Sequence, residues 1–183
     1  MSLTASDINY VKDHIRLVDN FPKEGIKFVD ITTTLKDAKA FGLTLDYMKD
    51  ILKEEKIDMI VGLESRGFIY GAALSAATNI GFVPIRKPGK LPAEVVSVDY
   101  DLEYGSDTIE MHKDAIKPGQ KVLIVDDLLA TGGTATAAAQ LIKKVGGEVG
   151  AAVFFVELTT LGGRQKLENN GIKVMSMLQY DLD

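Results

Sequence analysis

Apolar residues follow two alternating patterns along this chain. In one they recur at the spacing of an amphipathic helix, and in the other they form short runs bounded by turn residues, as buried strands do. The first pattern predicts helices over residues 5–18, 39–55, 67–78, 134–145 and 162–170. The second predicts strands over residues 57–64, 81–87, 107–116, 121–127, 148–158 and 171–180, of which 107–116 alternates like an exposed strand. Residues 21–32 are expected to form a loop or short strand, and residues 88–106 a long loop with weak strand character.

The order of these elements predicts the fold class. Strands that alternate with helices indicate an α/β fold, in which helices flank a mostly parallel central sheet. The chain has 183 residues, of which 46% are hydrophobic and 26% charged. These values suit a single globular domain that spans residues 1–183.

Composition and charge exclude several classes of site and partner. The chain has no cysteine, which rules out disulfides, zinc–thiolate sites and a cysteine nucleophile. Its start shows no signal peptide, and its apolar stretches are too short to span a bilayer. The net charge of −5 argues against a nucleic-acid-binding surface, although a local basic pocket can still bind an anion. We therefore expect a cytoplasmic protein with no membrane or nucleic-acid partner.

The stretch VLIVDDLLATGGTATAAAQLI, residues 122–142, predicts a phosphate site. A buried strand runs into Asp126 and Asp127, and ligands gather at the carboxyl ends of parallel strands. A glycine-rich turn then leads into a helix, so its amides and the helix N-terminus suit a phosphate monoester. Two carboxylates would repel that phosphate unless they face hydroxyls or a divalent cation. A sugar phosphate with free hydroxyls, together with Mg²⁺, satisfies both requirements.

The turn matches neither common nucleotide-binding motif. No lysine follows Gly133, as a Walker loop requires, and the glycine spacing does not fit a dinucleotide fingerprint. Instead, VLIVDDLLATGGT resembles the phosphoribosyl-diphosphate (PRPP) motif of the type I phosphoribosyltransferases. The rest of the chain is similar to the adenine phosphoribosyltransferase branch of that family, and this more specific similarity extends over nearly the whole length. It is carried by FPKEGIKFVDITTTLKD, GLESRGFIYGAAL, IRKPGKLP, LEYGSDTIEMHKDAI and VELTTLGGR.

The resemblance implies a fold, a reaction and an assembly. It implies the type I phosphoribosyltransferase fold, with a small hood over residues 1–35 and a flexible catalytic loop over residues 87–107. The implied reaction transfers the 5-phosphoribosyl group of PRPP to N9 of adenine and yields AMP and pyrophosphate, a step of purine salvage. It also implies a homodimer and Mg²⁺ that arrives bound to PRPP, without a direct protein ligand.

The glycine-rich turn and the acid pair are assigned to the sugar phosphate. The 5-phosphate is expected to bind Ala130, Thr131, Gly132, Gly133 and Thr134. Asp126 and Asp127 are expected to bind the ribose hydroxyls or a metal-bound water.

Two further stretches are candidates for binding pyrophosphate. In ESRG, Ser65 is expected to cap a helix, and Arg66 to bind the pyrophosphate. The resemblance implies a non-proline cis peptide in this loop. In IRKPGKLP, the cations Arg86, Lys87 and Lys90 surround a Pro-Gly turn and would offset the charge of PRPP. Read alone, the first stretch is equally a capped helix with a surface arginine, and the second a solvated basic turn.

The long segment before residue 107 is interpreted as a lid. Chemistry at the anomeric carbon needs water excluded, which a closing loop provides. Within LEYG, Glu103 is assigned to accept the proton of adenine or to orient the base, and Tyr104 to contact the diphosphate or shield the site. A solvated loop glutamate is the alternative for Glu103.

Adenine recognition is expected near the sequence GIKFVDI. Phe28 offers a ring for stacking, Val29 offers backbone hydrogen bonds to the edge of the base, and Leu158 a facing wall. Many relatives carry an arginine where this chain has Val29, a change that backbone recognition tolerates. From the pattern alone, Phe28 is as readily a core aromatic. Arg164 is interpreted as structural.

Two alternatives remain open at this point. One is a phosphoribosyltransferase for another base, such as a 6-oxopurine or orotate. The other is a PRPP-binding transcription regulator that retains the fold, although such proteins usually add a basic DNA-binding segment, which this chain does not show.

Overall fold

The computed structural model of the protein describes residues 3–101 and 105–182. Its helices are α1 (Ala5–Asp13), α2 (Thr32–Leu35), α3 (Ala38–Glu54), α4 (Gly67–Thr78), α5 (Gly133–Lys144) and α6 (Gly163–Glu168), with a 3₁₀ turn at Thr159–Leu161. Its strands are β1 (Arg16–Asp19), β2 (Lys27–Asp30), β3 (Met59–Leu63), β4 (Gly81–Ile85), β5 (Val95–Asp101), β6 (Ser106–His112), β7 (Lys121–Leu129), β8 (Glu148–Leu158) and β9 (Lys173–Tyr180).

A parallel sheet of five strands, in the order β4-β3-β7-β8-β9, forms the centre of the molecule. Alternate residues of β7 face two separate cores. Val122 and Ile124 pack with α5, whereas Leu123 and Val125 pack with α3 and α4. Because both faces of the sheet are covered, residues 122–125 of β7 form one continuous apolar run. The predicted α/β class is confirmed.

Two antiparallel hairpins flank the central sheet. The first pairs β1 with β2, and the second pairs β5 with β6. The long loop predicted over residues 88–106 is therefore corrected, because residues 95–101 form a strand. Its alternate residues Val96, Val98 and Tyr100 pack against the core, and the cross-strand pairing extends this period-two pattern. Strand β6 is not exposed as predicted, because Ile109 and Met111 are buried.

The N-terminal region also departs from the prediction. Helix α1 begins with a capping box between Thr4 and Asp7 but ends at Asp13, five residues before the predicted end at Val18. Residues beyond it pair as β1 with β2, so tertiary pairing overrides the helical spacing of Ile15 and Val18. In the part of the chain that the structure describes, no helix combines the length and apolar character needed to cross a bilayer.

Candidate active site

The turn between β7 and α5 encloses a small cavity. Residues 130–134, called the glycine loop below, line about 90 Å³ of free space together with neighbouring residues. Gly132 precedes α5 with φ of 75°, and within the described part of the chain no side chain caps the helix. The positive end of the helix therefore faces this cavity without a competing side-chain acceptor, which is the arrangement that favours an anion. All five residues predicted to bind the 5-phosphate lie here: Ala130, Thr131, Gly132, Gly133 and Thr134.

The two adjacent acids differ in their surroundings. Asp126 lines the cavity, and its Oδ1 accepts a hydrogen bond of 2.9 Å from the amide of Asp127. Burial, and then repulsion from Asp127, raises the pKa of Asp126 well above its usual value. Asp127 is buried, and its Oδ2 lies 2.9 Å from Nε of Arg66. Burial raises the pKa of Asp127, and the Arg66 guanidinium offsets part of that rise.

The charge on Oδ2 of Asp127 is compensated by Arg66, but this oxygen accepts no hydrogen bond of good geometry from the described residues. The hydroxyl of Tyr70, one turn after Arg66 on α4, is also buried and forms no hydrogen bond with any described residue. Burial, followed by the nearby Asp127, raises the pKa of Tyr70. The Asp127 carboxylate therefore retains capacity to accept a hydrogen bond from a ligand or a water.

The ESRG turn joins the acid pair to the base side of the site. The peptide bond between Glu64 and Ser65 is cis, as the resemblance implied. Arg66 caps α4 by its backbone position, and its guanidinium lies 5.4 Å from the centre of the Phe28 ring. The expectation that Ser65 caps the helix is wrong: the cap position belongs to Arg66, and no side-chain capping bond is present.

Glu64 contacts the basic residues of the turn at residues 86–90, called the basic turn below. Its carboxylate accepts a hydrogen bond of 2.8 Å from the amide of Lys87 and lies 3.3 Å from both Nε of Arg86 and Nζ of Lys90. Burial opposes ionisation of Glu64, but these donors outweigh it and lower its pKa. Arg86 and Lys90 are therefore held together at the end of β3.

The side chain of Lys87, unlike its backbone amide, does not bind Glu64. Its ammonium pairs with Asp107 of β6 and lies 3.3 Å from the hydroxyl of Tyr100 on β5. Thr134 of the glycine loop donates to the same hydroxyl at 3.3 Å. The β5–β6 hairpin is thus connected to the glycine loop by a short hydrogen-bonded chain.

The predicted base-binding residues lie in two places. Phe28, on β2, is partly buried and meets Phe21 edge-to-face with ring centres 5.1 Å apart. Val29 pairs across the hairpin with Leu17, and its side chain packs in the core. Only the backbone of Val29 is therefore left for a ligand. Leu158 is the partly buried last residue of β8, at the same carboxyl edge of the sheet as the acid pair.

Comparisons with known proteins show the family of this chain. Residues 32–181 match the family model for the phosphoribosyl transferase domain. The adenine phosphoribosyltransferase of Clostridium perfringens (strain 13) is 52% identical over 172 residues, which cover 94% of this chain and 99% of that protein. The chain belongs to the adenine phosphoribosyltransferase family. It is accordingly a pentosyltransferase of purine salvage, which makes AMP and pyrophosphate from adenine and PRPP.

Solved structures of adenine phosphoribosyltransferases have the same fold. The crystal structure from Thermoanaerobacter pseudethanolicus is 50% identical and superposes with a TM-score of 0.91, covering 94% of this chain and 99% of that one. The Saccharomyces cerevisiae structure, a complex with an imino-altritol bisphosphate and adenine, is 41% identical. It gives a TM-score of 0.89 and covers 96% of this chain and 100% of that one. The predicted type I phosphoribosyltransferase fold is confirmed.

Some candidate functional residues were not predicted from the sequence, and others lie outside the described residues. Glu103 and Tyr104 fall between β5 and β6 in the sequence and are outside the described residues. Three residues that contact the predicted cations were not among the sequence-based candidates: Glu64, Tyr100 and Asp107. Only the position of Glu64, directly before Ser65 in the motif, offered a signal, since the other two meet Lys87 through tertiary contacts.

Proposed function

We propose that the reaction takes place in the cavity at the end of β7, where the glycine loop binds the 5-phosphate of PRPP. The observation that carries this proposal is the uncapped N-terminus of α5 facing a cavity lined by the loop. Backbone amides there, with the hydroxyls of Thr131 and Thr134, suit a phosphate dianion. The yeast relative was crystallised with a sugar-like bisphosphate and adenine, which supports a site with both a phosphate and a base subsite.

The acid pair is proposed to bind the ribose. Asp126 faces the cavity, so it accepts from a ribose hydroxyl. Asp127 accepts from the second hydroxyl or a metal-bound water through Oδ2, which lies beside Arg66 but accepts no well-aligned hydrogen bond from the described residues. Among the described residues no group of three or more acidic or histidine side chains forms a metal cage. Two carboxylates suit Mg²⁺ that keeps several waters and binds mainly to substrate oxygens. Bound Mg²⁺ would neutralise charge on the departing pyrophosphate.

Pyrophosphate is proposed to leave toward the cations around the ESRG turn and the basic turn. This protein is acidic overall, so the ligand charge must be offset locally. Arg66 lies near the carboxyl edge of the central sheet, and so do Arg86 and Lys90, which Glu64 holds together. The proposed pyrophosphate-binding residues are Ser65, Arg66, Arg86, Lys87, Lys90 and Tyr104.

Adenine is proposed to stack on Phe28, with the backbone of Val29 reading its edge and Leu158 forming the facing wall. The Arg66 guanidinium near the Phe28 ring joins this subsite to Asp127. Glu103 accepts the N9 proton or orients the base as C1 of the ribose loses pyrophosphate. The hood over residues 1–35 and the lid over residues 87–107 exclude water from the oxocarbenium-like carbon.

Amide chemical shifts during a titration with AMP test the site. The amides of residues 130–134 are expected to show the largest shifts, and Asp127→Asn is expected to weaken AMP binding without loss of the folded spectrum. Shifts confined to another surface would remove the glycine loop from the proposal. Unchanged binding and kinetics in Asp127→Asn would remove the acid from it.

Turnover with different bases tests the adenine subsite. The enzyme is incubated with PRPP, Mg²⁺ and adenine, hypoxanthine or orotate in separate reactions, and the nucleotide and pyrophosphate are identified. Only adenine is expected to yield a nucleotide. Turnover of hypoxanthine comparable to that of adenine would contradict the assignment of Val29 and Phe28.

A homodimer in the cytoplasm completes the proposal. Leu17, Phe21, Ile26, Ile69 and Leu161 are large apolar residues that remain exposed on the single chain. Such side chains are candidates for burial against a second copy.

The chemistry of the substrate supports a cytoplasmic location. PRPP is highly charged and does not cross membranes, so an enzyme that consumes it is expected in the compartment that makes it. Sedimentation velocity tests the dimer, and cell fractionation tests the location.

A further inference from the structure

The first residue of α6 lies directly behind the glycine loop. A Cβ atom added to Gly163 would lie 2.2 Å from the carbonyl oxygen of Ala130 and 3.0 Å from the amide nitrogen of Gly132. From the other side, a Cβ on Gly132 would lie 2.9 Å from the carbonyl oxygen of Gly163. The two backbones therefore touch with no space for a side chain between them, and a shift of Gly163 moves the loop.

Arg164, the next residue, fixes the start of α6 to two strands. Its Nε donates to Oε1 of Glu157 on β8 at 2.9 Å, and its Nη1 donates to the carbonyl of Val174 on β9 at 2.9 Å. Its Nη2 donates to the hydroxyl of Ser176, also at 2.9 Å. A planar guanidinium that uses all three nitrogens in this way has only one orientation available.

The carboxylate that anchors this arginine is buried. Glu157 is 3% exposed, and it also accepts a hydrogen bond from Ser176. Burial opposes its ionisation, but Arg164 and Ser176 outweigh that effect and lower the pKa of Glu157. This ion pair is weak evidence for stability, because the cost of burying the Glu157 carboxylate offsets much of its attraction to Arg164, whose side chain stays 32% exposed. Its geometric effect, which is to set the position of α6, is the stronger consequence.

We propose that Arg164 is a positioning residue for phosphate binding: by pairing with Glu157 it sets the first turn of α6, and the backbone of Gly163 then holds the glycine loop in its binding shape. This inference rests on the proposed role of the glycine loop. Arg164 does not contact the phosphate. It acts through Gly163, so its replacement weakens binding of the sugar phosphate and spares the adenine subsite.

Two variants test the inference with ribose 5-phosphate as the probe. Arg164→Lys keeps the charge beside Glu157 but loses the forked geometry, and Gly163→Ala changes no charge but places a methyl group against Ala130. Each is expected to raise the Kd for ribose 5-phosphate and the KM for PRPP by about tenfold or more, as displacement of a binding loop does. The KM for adenine is expected to stay unchanged.

Matched controls separate this effect from general damage. Glu168→Gln removes the other, exposed carboxylate of Arg164, which lies 3.3 Å from Nη1. Gly42→Ala adds a methyl group where nothing lies within 4 Å. Both are expected to bind ribose 5-phosphate like the wild type.

The outcomes distinguish failure of the inference from failure of the proposed site. If ribose 5-phosphate fails to shift the glycine-loop amides of the wild type, the proposed phosphate site is wrong and the inference falls with it. If the wild type responds and Arg164→Lys binds ribose 5-phosphate as tightly as the wild type does, only the inference is overturned, whatever Gly163→Ala shows. Equal weakening of PRPP and adenine would also overturn it, because that pattern indicates general destabilisation. Should Arg164→Lys fail to fold, Glu157→Gln, which removes the charge that Arg164 pairs with, decides the question by the same measurement.

Discussion

The close approach of α4 to β7 makes Gly67 the most informative single position in the site. A Cβ atom at this position would lie 2.7 Å from the carbonyl oxygen of Val125 and 2.9 Å from Oδ1 of Asp126. Carbon atoms pack best at about 3.5–4.0 Å from their neighbours. In Gly67→Ala, the start of α4 must therefore recede by more than about half an ångström.

The expected free-energy change is the difference between two terms. Overpacking of this kind costs about 1–3 kcal/mol, whereas alanine is favoured over glycine in a helix by up to about 1 kcal/mol. We expect Gly67→Ala to be less stable by about 1–2 kcal/mol, which for a chain of this length lowers Tm by about 2–8 °C. Because Arg66 precedes Gly67 and pairs with Asp127, the shift also disturbs the acid pair, and kcat/KM is expected to fall about tenfold.

Calorimetry and a continuous assay of pyrophosphate release measure the two effects. Gly42→Ala is the matched control, since a Cβ there meets no atom within 4 Å. It is expected to retain full activity and to gain up to about 1 kcal/mol of stability. If Gly67→Ala melts and turns over like Gly42→Ala, the contact between α4 and β7 does not constrain the site and the reasoning is refuted.

Three other perturbations follow from the charges and rings of the site. The pKa of Glu64 is lowered in the folded state, so its ionised form stabilises the fold. In urea unfolding at pH 7, the free energy of unfolding of Glu64→Gln should be lower than that of the wild type by about 1–2 kcal/mol, and this difference should disappear as the pH falls below about 4. A difference that persists below that pH would contradict the reasoning. Because the pKa of Asp126 is raised, its ionisation opposes folding above about pH 3.9. Asp126→Asn should therefore be more stable than the wild type at pH 8 but not at pH 3.5. Its kcat/KM should be lower by about tenfold or more. A variant that is no more stable than the wild type at pH 8 would refute this. Phe28→Leu should raise the KM for adenine about 5- to 100-fold without changing that for PRPP, as steady-state kinetics with each substrate varied will show, and an equal rise in both would argue against stacking.

Short-range patterns in the sequence determined most of the fold and the family. The alternation of helical spacing with apolar runs predicted the parallel sheet, and β7, α5 and β8 lie within two residues of their predicted limits. The position of the glycine loop between a strand and a helix was also predicted, because a strand end, a glycine turn and a helix start are contiguous in the chain. Such signals depend on neighbours a few residues apart, and these are visible in sequence.

Contacts between distant segments decided the rest. The pairing of β5 with β6 converted an expected loop into a hairpin, and the pairing of β1 with β2 ended α1 early. The different surroundings of Asp126 and Asp127 follow from the side-chain alternation of a strand whose two faces meet different helices. Glu64 binds Arg86 and Lys90 only because the parallel pairing of β3 with β4 brings these segments together. Ion pairs of this kind carry no local pattern, since either partner alone reads as an ordinary surface charge.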